Sequence, residues 1–282
     1  SPGTSGDATT AAAAAAAAAV KAASGTSGTE ATSGRCELVW SQSGHRLLSV
    51  VPGSSVVTLW AMSEGRGGCR SCLLPTGAAH SKLVCATFAS VTGGVVATAG
   101  RRAEVDVITG MPGSSAPPLK AWPYVAAGIC VWDTLCPPSS SLVAHDGAAD
   151  ATPAGMPAEY SCLAWAASQQ RLLCGTKAGE LRVFDLRQRR LAQRFQAHSD
   201  AVRHCFVLES SGQLLTLSVG AELKIWSLRS LELLETLPKL HSPAFGVGSV
   251  LGKSKALSCA TLLSEQHLVT GGQDGMLVLT RL

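Results

Sequence analysis

The chain has 282 residues, 46% of them hydrophobic, enough for one large all-β domain or two ordinary ones with a sizeable core. Its 23 basic and 19 acidic residues leave a net charge of +4, too mild a balance to imply nucleic acid as a partner. No segment reaches ~18 consecutive apolar residues, which argues against a spanning helix, and ten cysteines in a chain of this size without a secretory leader point to reduced thiols in a cytosolic compartment.

Residues 1–34 are of a different material: SPGTSGDATT, nine alanines from Ala11 to Ala19, then VKAASGTSGTEATSG. There is almost nothing large and apolar to bury, so the segment reads as a disordered, low-complexity linker. The alanine run falls short of the roughly 12–15 residues that marginal helicity in water requires. Opening on Ser1 rather than methionine, the chain reads as a fragment of a longer protein.

From Arg35 onward one phrase recurs. The first copy, residues 35–68, reads RCELVW, HRLLSVV and SVVTLW, ending on Trp60. The second, 80–135, opens on His80 and continues through LVCATF, VVATAG and GICVWD to Trp132. The third, 145–190, opens on His145 and runs through SCLAW, RLLCG and GELRVFD, with Phe184 at the tryptophan position. The fourth, 198–230, opens on His198 and gives RHCFVL, QLLTLS and AELKIWS, ending at Trp226. The fifth, 241–282, opens on His241 and gives SCATLL, HLVTGG and GMLVLTR, with Thr280 in place of the aromatic residue.

Each run is short, aliphatic or β-branched and bounded by turn residues, which predicts strands. LAQRFQA and LELLETL supply a fourth strand per copy, although the second is also compatible with a helical turn. Phe184 and Trp226 are 42 residues apart, and four strands repeated at about 40–45 residues are the signature of propeller blades. A single four-stranded sheet cannot bury both faces, whereas stacked neighbours can. The predicted fold class is therefore an all-β WD-repeat β-propeller over 35–282, with five recognisable, degenerate blades. Seven such blades need roughly 300 residues, so the five are expected to be part of a seven-bladed ring.

The blades resemble the WD-repeat family, in which a histidine before the first strand, a hydroxyl on the second, an Asp before the third and a Trp ending the third share a buried hydrogen-bond network. The resemblance assigns His198, Ser218 and Trp226 to that network, with Gly220 at the Asp position; His80, His145, Trp132 and Asp274 are the matching residues of other copies. The run from ICVWDTL through AHDGA, LLCGTKAGELRVFDLRQRRL, FQAHSDAV and LKIWSL to GGQDGMLVL further resembles the C-terminal propeller of the DmX-like or rabconnectin family, over roughly Gly128 to Leu282. VVATAG carries the likeness back to about Val95. That resemblance implies a non-enzymatic scaffold with protein partners: sector subunits of the vacuolar proton ATPase and a second WD-repeat subunit. It implies no cofactor, no nucleic acid, no direct membrane insertion, and a cytoplasmic location peripheral to vesicle or vacuolar membranes through those partners.

The stretch GELRVFDLRQRRLAQRFQAHSDAV gathers the most chemistry. His198 as a base with Asp185 or Asp200 as its orienter would suit an active site. No nucleophile accompanies them, and the histidine recurs once per copy, so a structural joint is expected and no residue is assigned a catalytic role. Cys36, Cys85, Cys162, Cys205 and Cys259 fall at matching first-strand positions, where cysteine behaves as a small buried hydrophobe. The pair Cys69 and Cys72 has metal-like spacing but lacks a second pair, so no metal is expected. The GRGG at 65–68 lacks the lysine of a phosphate loop and reads as a turn. Arg187, Arg189, Arg190 and Arg194 lie at the hairpin joining third and fourth strands, either as a solvated edge or, with Asp185, as a docking point for an acidic partner. Asp185 and Arg187 also resemble the ending by which some WD-repeat receptors dock on cullin-RING ubiquitin ligases, an alternative function. Insertions are expected at 101–126, 146–157 and 242–255.

Overall fold

The structure is a computed structural model that describes residues 37–61, 70–75, 80–102, 128–136, 142–145, 159–188, 190–238, 240–241 and 257–282. The linker expected over 1–34 lies outside the described residues, as do Cys36, Cys69, Arg189, the insertions at 146–157 and 242–255, and 103–126 of the remaining one. The chain divides into two compact units, Ser1–Pro157 and Ala158–Leu282.

Every regular element among the described residues is a strand. In the first unit, β1 (Glu37–Trp40), β2 (Arg46–Val50), β3 (Val56–Ala61) and β4 (Arg70–Pro75) form one antiparallel sheet in sequence order. A second sheet follows from β5 (His80–Phe88), β6 (Val95–Arg102), β7 (Ile129–Asp133) and β8 (Leu142–His145). Leu48, Val50, Val57 and Leu59 of the first sheet pack on Phe88, Val96 and Trp132 of the second. Burying such side chains contributes about 1.5–3 kcal/mol each. The Arg46 guanidinium adds a polar tie, with Nη1 donating to Gly93 O and to Thr134 Oγ1, both at 3.0 Å.

In the second unit, β9 (Tyr160–Ala166), β10 (Arg171–Thr176), β11 (Glu180–Asp185) and β12 (Arg190–Gln196) make the third sheet. The fourth is β13 (Val202–Leu208), β14 (Gln213–Ser218), β15 (Leu223–Ser227) and β16 (Leu233–Leu237). LELLETL is therefore a strand rather than a helical turn. The fifth holds three described strands, β17 (Leu257–Ser264), β18 (His267–Gly272) and β19 (Leu277–Arg281). Strict alternation gives each sheet two apolar faces: Leu173, Leu181 and Val183 face Leu214, Trp226 and Leu228 across one joint, and Leu215, Leu217, Leu223 and Ile225 face Leu257 and Leu268 across the next. The last strands of the third and fourth sheets, β12 and β16, are largely exposed, as outer edges are.

Cys85, Cys162 and Cys205 are buried as expected, but Cys259 is exposed. The physical reason is its face. Cys259 points away from the fourth sheet, on the same side as Leu263, Leu277 and Leu279, which are 67%, 76% and 62% exposed. Among the described residues of this unit no further sheet covers that face.

Candidate functional site

His198 follows β12 and sits beneath the fourth sheet, 1% exposed. Its backbone N–H, and that of Ala197, donate to Gly179 O at 3.0 Å. Gly179 has φ +83°, and a Cβ there would collide with His198 O, so the turn before β11 needs glycine to hold this histidine. The side chain then uses both nitrogens: Nε2 lies 2.8 Å from Thr216 Oγ1 and Nδ1 2.8 Å from Glu222 Oε2. Trp226 Nε1 donates to the same Thr216 Oγ1 at 2.8 Å.

The protons in this chain can be placed. An indole N–H only donates, so Thr216 Oγ1 accepts it, and the Glu222 carboxylate only accepts, so a neutral imidazole carries its proton on Nδ1 and takes the Thr216 proton at Nε2. That leaves Nδ1 protonated and donating to the Glu222 carboxylate. Burial pulls the His198 pKa below its usual 6.5, opposed by the hydrogen bond to Glu222. The contact is thus a hydrogen bond from neutral imidazole, and every partner is satisfied. With both nitrogens engaged out of solvent, His198 serves the sheet joint and has no nitrogen left for a substrate proton. The two ring nitrogens meet Glu222 and Thr216 rather than Asp185 or Asp200.

Two residues of the expected network are replaced. Ser218 is buried but accepts the Glu222 backbone N–H at 3.2 Å, closing the turn before β15, while Thr216 is the shared hydroxyl. Both lie on one face of β14, and the register decides between them: Trp226 pairs with Leu214, so its indole reaches two residues along, to 216. Gly220 carries no carboxylate because Asp200 Oδ2 occupies the space, only 2.6 Å from where a Cβ would stand. Glu222 supplies the charge instead.

The other sheets keep parts of the device. In the fifth, His241 Nε2 lies 3.0 Å from Thr270 Oγ1 and Nδ1 3.1 Å from Asp274 Oδ2, with Thr280 at the aromatic position. Asp274 is held below the usual carboxylate range, first by the Met276 N–H and then by His241. In the second, Trp132 Nε1 donates to Thr98 Oγ1 at 2.8 Å, and in the first, Trp60 Nε1 donates to Ser49 Oγ at 3.1 Å. His80 opens β5 and His145 ends β8, each at the entry to its copy. In the third sheet Phe184 pairs with Leu172, which puts Cys174 at the hydroxyl position. Donor and acceptor are lost together, so neither of these two positions strands a polar partner at the other.

Around the arginine hairpin, Asp185 Oδ1 accepts the backbone N–H groups of Arg187 at 2.8 Å and Gln188 at 3.0 Å. Asp185 therefore builds the turn, while Arg187, Arg190 and Arg194 reach solvent. The arginine that sequence reasoning passed over is Arg182, fully buried, paired with Glu180 at 3.1 Å and set over the Tyr160 ring. Its signal was the alternation: Leu181 and Val183 take one face of β11, so Arg182 must take the other, and both are covered. Among the described residues no group of three or more potential ligands could hold a metal ion. No helix among them is long and apolar enough to cross a membrane.

No family model matches the chain. A stretch of 118 residues, 40% of the chain, is 36% identical to DmX-like protein 1 of mouse, and the human protein gives the same identity over the same length. This region is related to the DmX-like family. The chain spans about 4% of the length of those DmX-like proteins. In three dimensions it is similar to a chain in the crystal structure of the mitotic checkpoint complex, a WD-repeat propeller, with a TM-score of 0.54 and 16% identity over 83% of this chain and 56% of that one. The fold is accordingly all-β and of the WD-repeat propeller class, the class that the DmX-like resemblance implied.

Proposed function

We propose that the chain is part of a non-enzymatic WD-repeat scaffold that promotes assembly of the vacuolar proton ATPase from its soluble and membrane sectors, and so vesicle or vacuole acidification. The observation that carries the reading is the DmX-like relationship over 118 residues. The geometry is consistent with it, since the titratable residues at the sheet joints are consumed in holding sheets together, leaving exposed edges and turns to meet partners. On this reading the partners are ATPase sector subunits and a second WD-repeat subunit. Contact with membranes is peripheral, through those proteins, in the cytoplasm.

Affinity capture of the tagged full-length protein tests the reading. Recovery of soluble-sector ATPase subunits with a WD-repeat partner is the expected result. Recovery of a cullin and its adaptor instead would replace it with the ubiquitin-ligase alternative, and recovery of neither would remove the ATPase assembly role.

A further inference from the structure

Across the joint between the third and fourth sheets, Cys162 Sγ and Cys205 Sγ lie 3.3 Å apart. Both are thiols, and they are 8% and 7% exposed. The two cysteines meet because they are out of phase. Cys162 pairs with Gly175 on β10, just as Cys85 pairs with Ala99 and Cys259 with Gly271, so these three take the same face of their respective sheets, which for Cys162 is the face that meets the fourth sheet. Each of these first strands carries a register shift, with Cys85, Cys162 and Cys259 as the first paired residue beyond it; in the fourth sheet that place, after the shift between Val202 and His204, belongs to His204, and Cys205, one residue further on, pairs with Thr216, the hydroxyl that binds Trp226. Slipped by one residue, Cys205 turns to the face that meets the third sheet, because side chains alternate with period two.

The surroundings hold that encounter. Gly175 makes room for it: a Cβ there would stand 2.6 Å from Cys162 Sγ and 2.7 Å from Val202 Cγ1. Ser161 Oγ donates to Val202 O, Glu209 Oε1 accepts the Ala167 N–H, and Gln169 Nε2 donates to Leu228 O at 2.9 Å, so polar ties pin the sheets on both sides of the thiols. Among the described residues the second and third sheets set their paired cysteines on opposite faces. In the second sheet Cys130 shares the face of Thr98, whereas Cys85 takes the opposite one. Cys174 of the third sheet pairs with Arg182, on the face away from Cys162.

We infer that Cys162 and Cys205 are a disulfide-forming pair, oxidised by a small peroxide to a covalent bridge that fastens the third sheet to the fourth. Closing the bond takes the sulfurs from 3.3 Å to about 2.05 Å. One sulfur attacks a peroxide oxygen and the O–O bond breaks; the thiol proton leaves with the displaced oxygen as water, giving a sulfenic acid. The other sulfur attacks that sulfenic sulfur, the S–O bond breaks, and a second water carries away the second thiol proton. The two sulfurs lose two electrons and hydrogen peroxide gains them. Burial of both sulfurs disfavours bulky disulfides such as oxidised glutathione, so the oxidant inferred is a compact peroxide.

The test treats the folded 282-residue chain with hydrogen peroxide, blocks remaining thiols, and reads the digest by mass spectrometry without reduction. A peptide pair joined through Cys162 and Cys205, two hydrogens lighter than its parts and separated by dithiothreitol, is expected. It should be absent from Cys162→Ala and Cys205→Ala and retained in Cys174→Ala. The oxidised chain should also melt several degrees higher, with the gain reversed by dithiothreitol. Peroxide treatment that leaves both thiols alkylatable, over-oxidises them singly, or joins either to another cysteine overturns the inference. The wild-type digest alone decides this if a variant fails to fold.

Discussion

Thr216 Oγ1 receives Trp226 Nε1 at 2.8 Å and lies 2.8 Å from His198 Nε2, so one hydroxyl joins an indole and an imidazole from opposite ends of the fourth copy. Replacing it by valine keeps the shape and strands both partners. Thr216→Val should cost about 1–3 kcal/mol, and Ser218→Ala about 0.5–1.5 kcal/mol because only a turn bond is lost. Urea unfolding of the two variants checks the order; the reverse order would return Ser218 to the centre of the network.

The joint loss of donor and acceptor in the third sheet predicts coupling. Phe184→Trp introduces an indole N–H beside Cys174, a weak acceptor, and should destabilise the sheet. Adding Cys174→Thr restores the pair found at Trp132 and Thr98, and a double-mutant cycle should show a favourable interaction of about 0.5–1.5 kcal/mol. Simple additivity would mean that the two positions do not communicate.

Gly179→Ala puts a Cβ against His198 O at a left-handed residue. The conformation alone costs roughly 1–2 kcal/mol, and displacement of His198 adds to it. A thermal melt within error of wild type would show that the turn is not what holds the histidine.

Because burial lowers the His198 pKa below 6.5, the unfolded chain binds a proton in a range where the folded one does not. The contribution of His198 is therefore complete above about pH 6.5 and declines as the pH falls from there toward the lowered folded value. Asp274 works in a separate window: its pKa is lowered from 3.8, so its contribution is present above that value and lost as the pH falls through its folded pKa. Urea midpoints at pH 7.5 and 5.5 should differ in wild type and converge in His198→Gln. An equal pH response in both would assign the titration to another group.

Arg187 is exposed, and its backbone, not its guanidinium, meets Asp185. Arg187→Ala should leave stability within about 0.5 kcal/mol, while Asp185→Ala, which opens the turn, should cost more. If the arginines dock a partner, Arg187→Ala with Arg190→Ala should weaken capture of that partner from the full-length protein. Unchanged recovery would leave them as a solvated edge.

The sequence by itself determined most of the strand runs and their order, because alternation between faces and turn residues at fixed spacing are local properties of the chain; β4 and β8 carry too little of either signal to be located. The same local logic marked His198 and Trp226 as recurring joints. Register was beyond it. Cys205 lies one residue further beyond its strand's register shift than the other first-strand cysteines do, which puts it on the opposite face, and the pairing of Trp226 with Leu214 selects Thr216 over Ser218. A one-residue slip leaves composition and periodicity almost unchanged yet reverses what each side chain meets. Likewise, nothing in SCATLL distinguishes Cys259 from its buried counterparts; its exposure follows from which face of a stacked sheet is covered, and that is settled between sheets rather than within a strand.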